Sequence, residues 1–221
     1  TLTLSNRWAG IDAFADWLKE QQFAIDEHTA VIVDLDKTAV GARGRNDKLI
    51  DAARLEAVRE TVRGLIGDEY DDATFEKAYR LLNQPQFHPF TADNQDYLAY
   101  ICLMLSAGLY SLDALVARVT SGEMASFDQF IAEVDKRGMS LPGPVHAIHE
   151  DIYLRVQQGD PTPFKAFRHN EFRTTLARFG RLPDNASAAQ MLQDEIVLTH
   201  EVRRMANAWK REGALLFGLS D

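Results

Sequence analysis

Two short apolar runs, one near each end of the chain, predict buried strands of a parallel sheet. The first is AVIV at residues 30–33, and the second is ALLF at residues 214–217. Neither run alternates with polar residues, which is typical of strands that are covered on both faces. We therefore predict two core strands, the first ending on Asp34 and the second leading to Ser220.

Apolar residues at three- and four-residue spacing predict helices through most of the remaining chain. Residues 6–22 place Trp8, Phe14 and Leu18 on one helical face. From 47 to 212 the helical pattern is interrupted by short breaks that contain Gly, Pro and Ser, which predicts roughly seven or eight helices. The expected fold is a predominantly helical α/β fold in the order strand, large helical insert, helix, strand.

The same pattern divides the chain into two domains. Residues 1–46 and 196–221 carry both predicted strands and form a partial core, and residues 47–195 form a helical domain. The sequence has no internal repeat at a fixed period and no low-complexity tract, which argues against a solenoid.

Composition and charge narrow the classes of function. The 221 residues include 33 acidic and 24 basic ones, the net charge is −9, and the basic residues are not concentrated in any segment. Because nucleic-acid binding requires clustered Lys and Arg, we expect no nucleic-acid partner. No stretch approaches the roughly 20 apolar residues of a membrane-spanning helix, so we expect no membrane partner. The single cysteine, Cys102, has apolar neighbours, which predicts a buried thiol and a cytoplasmic location.

The segment VIVDLDKT at residues 31–38 carries the candidate chemistry. The first strand delivers Asp34, and Asp36 and Thr38 follow at two-residue spacing. Open parallel sheets bind ligands at the carboxyl ends of their strands. There, one carboxylate is placed to attack phosphorus and a second to act as general acid and base. Since two carboxylates repel an anionic phosphate, such a site needs a divalent cation, and Mg2+ prefers oxygen ligands of this kind.

An apolar strand followed by Asp-x-Asp-x-Thr resembles the first motif of the haloacid dehalogenase superfamily. The C-terminal segment EVRRMANAWKREGALLFGLSD, residues 201–221, is similar to the second motif, in which a helix and a glycine turn lead into an apolar run ending in Ser or Thr. The helical insert occupies the place of the cap domain that many members carry. The resemblance implies a Rossmann-like core with parallel strands and an all-α cap.

The resemblance also implies roles for individual residues. Asp34 would be the nucleophile that forms an aspartyl-phosphate, and Asp36 the general acid and base. Mg2+ would bind the Asp34 carboxylate and the Asp36 backbone carbonyl, and Ser220 would hold a phosphate oxygen. Thr38 would brace the loop through its hydroxyl group.

A second register of the same motif makes Asp36 the nucleophile, because Asp-Lys-Thr is similar to the phosphorylated loop of ion-pumping ATPases. That register leaves Ala39 and Val40 where Gly and Thr are expected, and we therefore prefer Asp34. Arg43 and Arg45 follow the motif directly. They either reach a substrate phosphate as bidentate donors or remain solvated loop charges.

The expected function is that of a magnesium-dependent phosphohydrolase acting on a small phosphorylated metabolite. Alternatives are a phosphomutase of the same superfamily and a catalytically incomplete helical binding module. The superfamily also has a later Lys and a further acidic motif, and the chain stops at Asp221 before either. We therefore expect a truncated chain that is a poor catalyst on its own.

Two polar clusters in the helical insert have explanations other than a metal site. DEYDD, residues 68–72, looks like an Asp-rich magnesium motif, but a helix end followed by the acidic cap of the next helix explains it. HAIHE places His146, His149 and Glu150 on one helical surface, where we expect a polar helix face rather than a transition-metal site.

A third cluster, at residues 161–172, places Lys165, Arg168 and His169 among aromatic residues. It is either a segment of the cap that contacts substrate or an amphipathic helix with long basic side chains, and we favour the helix.

Overall fold

The chain folds mainly into helices, with two short strands. The computed structural model describes residues 2–5, 7–137 and 140–220. The predicted core domain ends at Asp221, which lies outside the described residues. In chain order the elements are α1 (Gly10–Glu20), β1 (Ala30–Asp34), α2 (Asp47–Ile66), α3 (Asp72–Leu82), α4 (His88–Thr91), α5 (Gln95–Ser106), α6 (Leu112–Thr120), α7 (Phe127–Arg137), α8 (Gly143–Gln157), α9 (Lys165–Leu176), α10 (Ala188–Asp194), α11 (His200–Arg211) and β2 (Leu215–Leu219).

Two compact units make up the chain. The sheet unit comprises Thr1–Ala53 and Thr175–Asp221, and the helical unit comprises Arg54–Thr174. The sequence places the corresponding boundaries at 47 and 195. Helix α2 begins in the sheet unit and continues into the helical unit, so no break in the helical pattern marks the first boundary.

The sheet unit contains the parallel strand pair that the sequence predicts. Strands β1 and β2 pair in parallel, with Ala30 beside Leu215 and Asp34 beside Leu219. Helix α11 packs against β2 and against α1, where Phe14 and Trp209 meet edge to face at 6.4 Å between ring centres. The carboxyl ends of both strands therefore lie at the same edge of the sheet.

The predicted burial of both strands is wrong. On the face formed by the register partners Ile32 and Phe217, the two residues are 64% and 50% exposed. Val33, Leu216 and Val202 of α11 line an apolar cavity of about 300 Å³. Continuous apolar strands are buried when layers cover both of their faces. In the described part of the chain, α11 lies against β2 and leaves the Ile32 face open, which explains the exposure.

Helix α5 is the centre of the helical unit. Every residue from Leu98 to Met104 is at most 2% exposed, as expected of a helix that is apolar on all sides. Phe75 of α3 and Phe130 of α7 belong to the same core. The predicted burial of Cys102 is confirmed, and this burial raises the pKa of its thiol.

More helices form than the periodicity predicts. Between residues 47 and 212 the described residues form ten α-helices, of which α4 and α10 have only four and seven residues. Elements this short leave no recognisable period in a sequence. None of the helices in the described ranges is long and apolar enough to cross a membrane.

Candidate functional site

Asp34 is the last residue of β1, and the loop that follows holds its carboxylate. The Thr38 hydroxyl donates to Asp34 Oδ2 at 2.5 Å. The loop turns back on itself because the Val40 N–H donates to the Leu35 carbonyl at 2.9 Å. Asp34 is exposed, so its carboxylate is accessible while one of its oxygens is fixed by Thr38.

Ser220 follows β2 at the same edge of the sheet. Asp34 is the register partner of Leu219, and the Leu35 N–H donates to the Leu219 carbonyl at 2.8 Å. Ser220 is the next residue and is exposed. Asp34 and Ser220 therefore lie at adjacent strand ends, which is the placement that the sequence predicts for them.

The middle of the loop has a conformation that the sequence does not indicate. Asp36 is half-buried and forms an isolated parallel bridge with Val40. Lys37 has a φ of +57°, in the left-handed region that residues other than glycine rarely adopt. Its ammonium group lies 2.6 Å from a carboxylate oxygen of Asp51 on α2, and its carbonyl accepts from the Arg43 N–H at 2.8 Å.

The segment before α11 holds the loop from the other side. The Thr199 hydroxyl donates to the Thr38 carbonyl at 2.5 Å, and the Thr199 N–H donates to the Ala39 carbonyl at 2.8 Å. The Gly41 N–H donates to the Val197 carbonyl at 3.0 Å. Sequence reasoning missed this segment, because a threonine before a helix is ordinarily interpreted as a helix cap.

Arg45 has a partner that neither prediction for it includes. Its guanidinium donates to both carboxylate oxygens of Glu201, at 2.9 and 2.5 Å. These hydrogen bonds lower the pKa of Glu201 to about 2. Arg45 is therefore not a solvated loop charge; it ties the loop to α11 through Glu201, and its contact with a substrate phosphate stays a prediction.

Arg43 and Asn46, near the end of the loop, differ in exposure and in their hydrogen bonds. The Arg43 side chain is exposed, and within the described residues it has no side-chain hydrogen bond or ion pair, so both predictions for it stay open. Its carbonyl accepts from the Trp8 indole N–H at 3.4 Å. Asn46 is only 3% exposed and donates to the Glu195 carbonyl at 2.6 Å.

The acidic segment 68–72 is a helix cap, and this prediction is confirmed. The Asp71 carboxylate accepts from the Ala73 N–H and so caps α3. Asp72 accepts from Arg59 Nε at 2.6 Å and from the Tyr70 hydroxyl at 2.8 Å. Both acids therefore have structural roles.

The predicted polar helix face at residues 146–150 is wrong for His149. His149 is 2% exposed, and its Nδ1 lies 2.6 Å from the Tyr100 hydroxyl oxygen. His146 instead lies 3.6 Å from a carboxylate oxygen of Glu150. The two histidines therefore have different surroundings, because the fold buries one side of α8.

Two of the three basic residues of the 161–172 segment, Lys165 and Arg168, are engaged in ion pairs. Arg168 Nε donates to Asp96 at 2.6 Å, and Lys165 lies 2.8 Å from a carboxylate oxygen of Asp160. Phe167 is fully buried. The predicted amphipathic helix is wrong in this respect: Phe172 and Leu176 of α9 are 64% and 52% exposed, so its apolar residues do not all lie on the buried side.

The oxygen atoms of the loop after β1 are of the chemical type that Mg2+ prefers as ligands. The Asp34 and Asp36 carboxylates and the loop carbonyls are hard oxygen ligands, which this cation prefers. Within the described ranges neither acid belongs to a group of three candidate ligands; the group found is Asp26, Glu27 and His28, three consecutive and largely exposed residues. The loop thus offers oxygen ligands of the kind that Mg2+ prefers, and the magnesium site stays a prediction.

Hydrogen bonds join residues 34–46 to residues 195–201 and 215–220, and within this arrangement the Thr38 hydroxyl contacts the Asp34 carboxylate. Comparisons with protein-family models, with curated proteins and with solved structures give no match to the chain.

Proposed function

We propose that the loop after β1 is the phosphoryl-transfer site of a magnesium-dependent phosphohydrolase of the haloacid dehalogenase type, acting on a small phosphorylated metabolite. One observation carries the proposal. The exposed Asp34 carboxylate stands at the carboxyl end of a parallel strand, in register with the strand that leads to Ser220, and Thr38 fixes one of its oxygens.

In this mechanism each polar residue at the ends of the two strands has a separate role. Asp34 attacks phosphorus, the bond from phosphorus to the ester oxygen breaks, and Asp36 gives its proton to the departing alcohol. Asp36 then takes a proton from the water that attacks the aspartyl-phosphate, which releases phosphate and restores Asp34. Thr38 keeps Oδ2 in place, and Ser220 donates to a phosphate oxygen. When bound, Mg2+ supplies positive charge that offsets the repulsion between carboxylate and phosphate.

The test is hydrolysis of a panel of phosphate esters in the presence of Mg2+. Asp34→Asn is expected to reduce release of phosphate to background, since the amide is not a nucleophile. Asp36→Asn is expected to lower kcat by about 10²- to 10⁴-fold, the range of a lost general acid and base. Asp184→Asn removes an exposed carboxylate of the same unit and is the matched control, expected to keep parent activity.

If hydrolysis is too slow to measure, binding of a phosphoryl analogue distinguishes a slow enzyme from a protein without the proposed site. We expect Mg2+ with beryllofluoride, which resembles the phosphoryl group, to bind the parent protein in calorimetric titrations and not to bind Asp34→Asn. Transfer of phosphate between positions of one substrate, rather than its release, would identify a phosphomutase. A protein that hydrolyses no ester and binds neither Mg2+ nor beryllofluoride would exclude the proposal.

A further inference from the structure

Thr199 is a buried threonine whose hydrogen bonds go to the site loop. It is 2% exposed and stands at the N-cap position of α11. Its hydroxyl donates to the Thr38 carbonyl at 2.5 Å, and its N–H donates to the Ala39 carbonyl at 2.8 Å. Two successive carbonyls of the loop are thus held by one residue that lies 161 positions further along the chain.

This arrangement departs from the usual role of a threonine before a helix. An N-cap threonine ordinarily accepts a hydrogen bond from an N–H of the first helical turn. Thr199 makes no such side-chain cap bond in α11. Glu201, in the first turn, supplies a favourable negative charge at that end of the helix. The Thr199 hydroxyl is therefore used for the loop.

The hydrogen bonds within the loop at the same place are longer than those from Thr199. The Thr38 N–H donates to the Leu35 carbonyl at 3.3 Å, and the Ala39 N–H donates to the Asp34 carbonyl at 3.3 Å. Both distances lie beyond the usual range for such bonds. Of the hydrogen bonds made by the backbone groups of Thr38 and Ala39, those from Thr199 are therefore the shorter ones, and they help to fix this part of the loop.

The next contact in the series reaches the candidate nucleophile. The Thr38 hydroxyl donates to Asp34 Oδ2 at 2.5 Å, so the position of the Thr38 side chain determines where that oxygen is held. We propose that Thr199 is a positioning residue, which fixes Thr38 and through it the orientation of the Asp34 carboxylate. Its effect on catalysis presupposes the phosphoryl transfer proposed above, whereas its effect on the loop does not.

Two variants isolate the hydroxyl of Thr199. Thr199→Val keeps the shape of the side chain and removes the donor, and Thr199→Ser keeps the donor. In metal-free protein, the three-bond couplings of the Thr38 methyl group report the rotamer of its side chain. We expect one rotamer in the parent and in Thr199→Ser, and averaging between rotamers in Thr199→Val. An unchanged Thr38 rotamer in Thr199→Val would overturn the proposal.

Kinetics and Mg2+ binding test the consequence for the site. We expect Thr199→Val to lower kcat about 10- to 100-fold with KM within about twofold of the parent, since misplacement of a reacting group by 1 Å or less has effects of this order. Its Mg2+ affinity should fall several-fold. Thr199→Ser should restore both within about twofold. Combining Thr199→Val with Thr38→Val should cost no more than Thr38→Val alone, because both act through one contact.

The remaining outcomes are decisive as well. If Thr199→Ser is as impaired as Thr199→Val, the hydroxyl is not the cause and the positioning role is wrong. If the parent protein binds no Mg2+ and hydrolyses no ester, the proposed function fails, and the Thr38 rotamer still decides whether Thr199 orders the loop. Should Thr199→Val not fold, Thr199→Ala carries the same expectations.

Discussion

His149 lies in the core of the helical unit between two polar groups. The Tyr100 hydroxyl is 2.6 Å from its Nδ1, and a carboxylate oxygen of Asp135 is 3.6 Å from its Nε2, too far for a good hydrogen bond. Burial lowers the pKa of His149, and the interaction with Asp135 offsets this only in part. The folded state therefore favours the neutral imidazole.

The stability of the helical unit should consequently depend on pH. Below the ordinary histidine pKa of 6.5 the unfolded chain takes up a proton that folded His149 resists, so the free energy of unfolding falls as pH falls. The loss is at most about 1.4 kcal/mol per pH unit until the folded-state pKa is reached. Urea unfolding between pH 5 and 8, followed by tyrosine near-ultraviolet circular dichroism, measures it.

Matched variants identify the residue responsible. His149→Gln should have a flatter pH profile than the parent, whereas His169→Gln, which alters an exposed histidine of the same unit, should keep the parent slope. Parallel profiles for the parent and His149→Gln would contradict the assignment to His149.

At the scale of elements, two glycines of the loop after β1 differ in how closely they approach α2. Gly41 and Gly44 have φ values of +57° and +77°, both in the left-handed region. A Cβ atom on Gly41 would lie 2.6 Å from Cγ1 of Ile50, whereas a Cβ atom on Gly44 would meet nothing within 4 Å. Ile50 forms a small buried cluster with Ala53 and Ile196. Gly41 and Gly44 thus share a left-handed backbone conformation, but only Gly41 is packed tightly against α2.

The two glycines should therefore respond differently to alanine. Gly44→Ala is expected to lower the free energy of unfolding of the sheet unit by about 1–2 kcal/mol, the cost of a left-handed alanine. Gly41→Ala should cost a further 1–3 kcal/mol or so, because Ile50 must move in a packed site. All three tryptophans lie in the sheet unit, so urea unfolding followed by tryptophan fluorescence reports it. Equal losses in both variants would show that Ile50 adapts freely.

Local signals predict helix ends well and strand burial poorly. Asp71 caps α3 as expected, because a cap involves atoms only two or three residues apart. The apolar composition of residues 30–33 does predict a strand of a parallel pair. It does not predict how many layers cover that strand, since burial depends on elements elsewhere in the chain. Ile32 is exposed for that reason.

For the whole molecule, the predictable part of the site is the part that strand register determines. Asp34 and Ser220 lie at one edge of the sheet because parallel strands end together. The contacts that hold the loop join residues far apart in sequence: Arg45 with Glu201 across 156 positions, and Thr38 with Thr199 across 161. No local pattern encodes such pairs, and a single sequence therefore could not show them.

The helical unit is one continuous segment, and the sheet unit is built from the chain on either side of it. Arg54 and Glu171 lie near the two ends of the helical unit. Arg54 Nε donates to Glu171 Oε1 at 2.5 Å, and both side chains are mostly buried. The two points at which the chain leaves the helical unit are therefore side by side.

This proximity has a kinetic consequence. In the unfolded chain, pairing β1 with β2 closes a loop of about 180 residues, whereas a folded helical unit leaves only the two short flanking segments to be ordered. The saving in chain entropy is on the order of 1 kcal/mol. We expect tyrosine signals to precede tryptophan signals during refolding, because all six tyrosines lie in the helical unit. Leu103→Ala should then slow both phases, and Gly41→Ala only the second. The order of folding would thus follow from the continuity of the helical unit and the closeness of its two ends, which the Arg54–Glu171 pair marks.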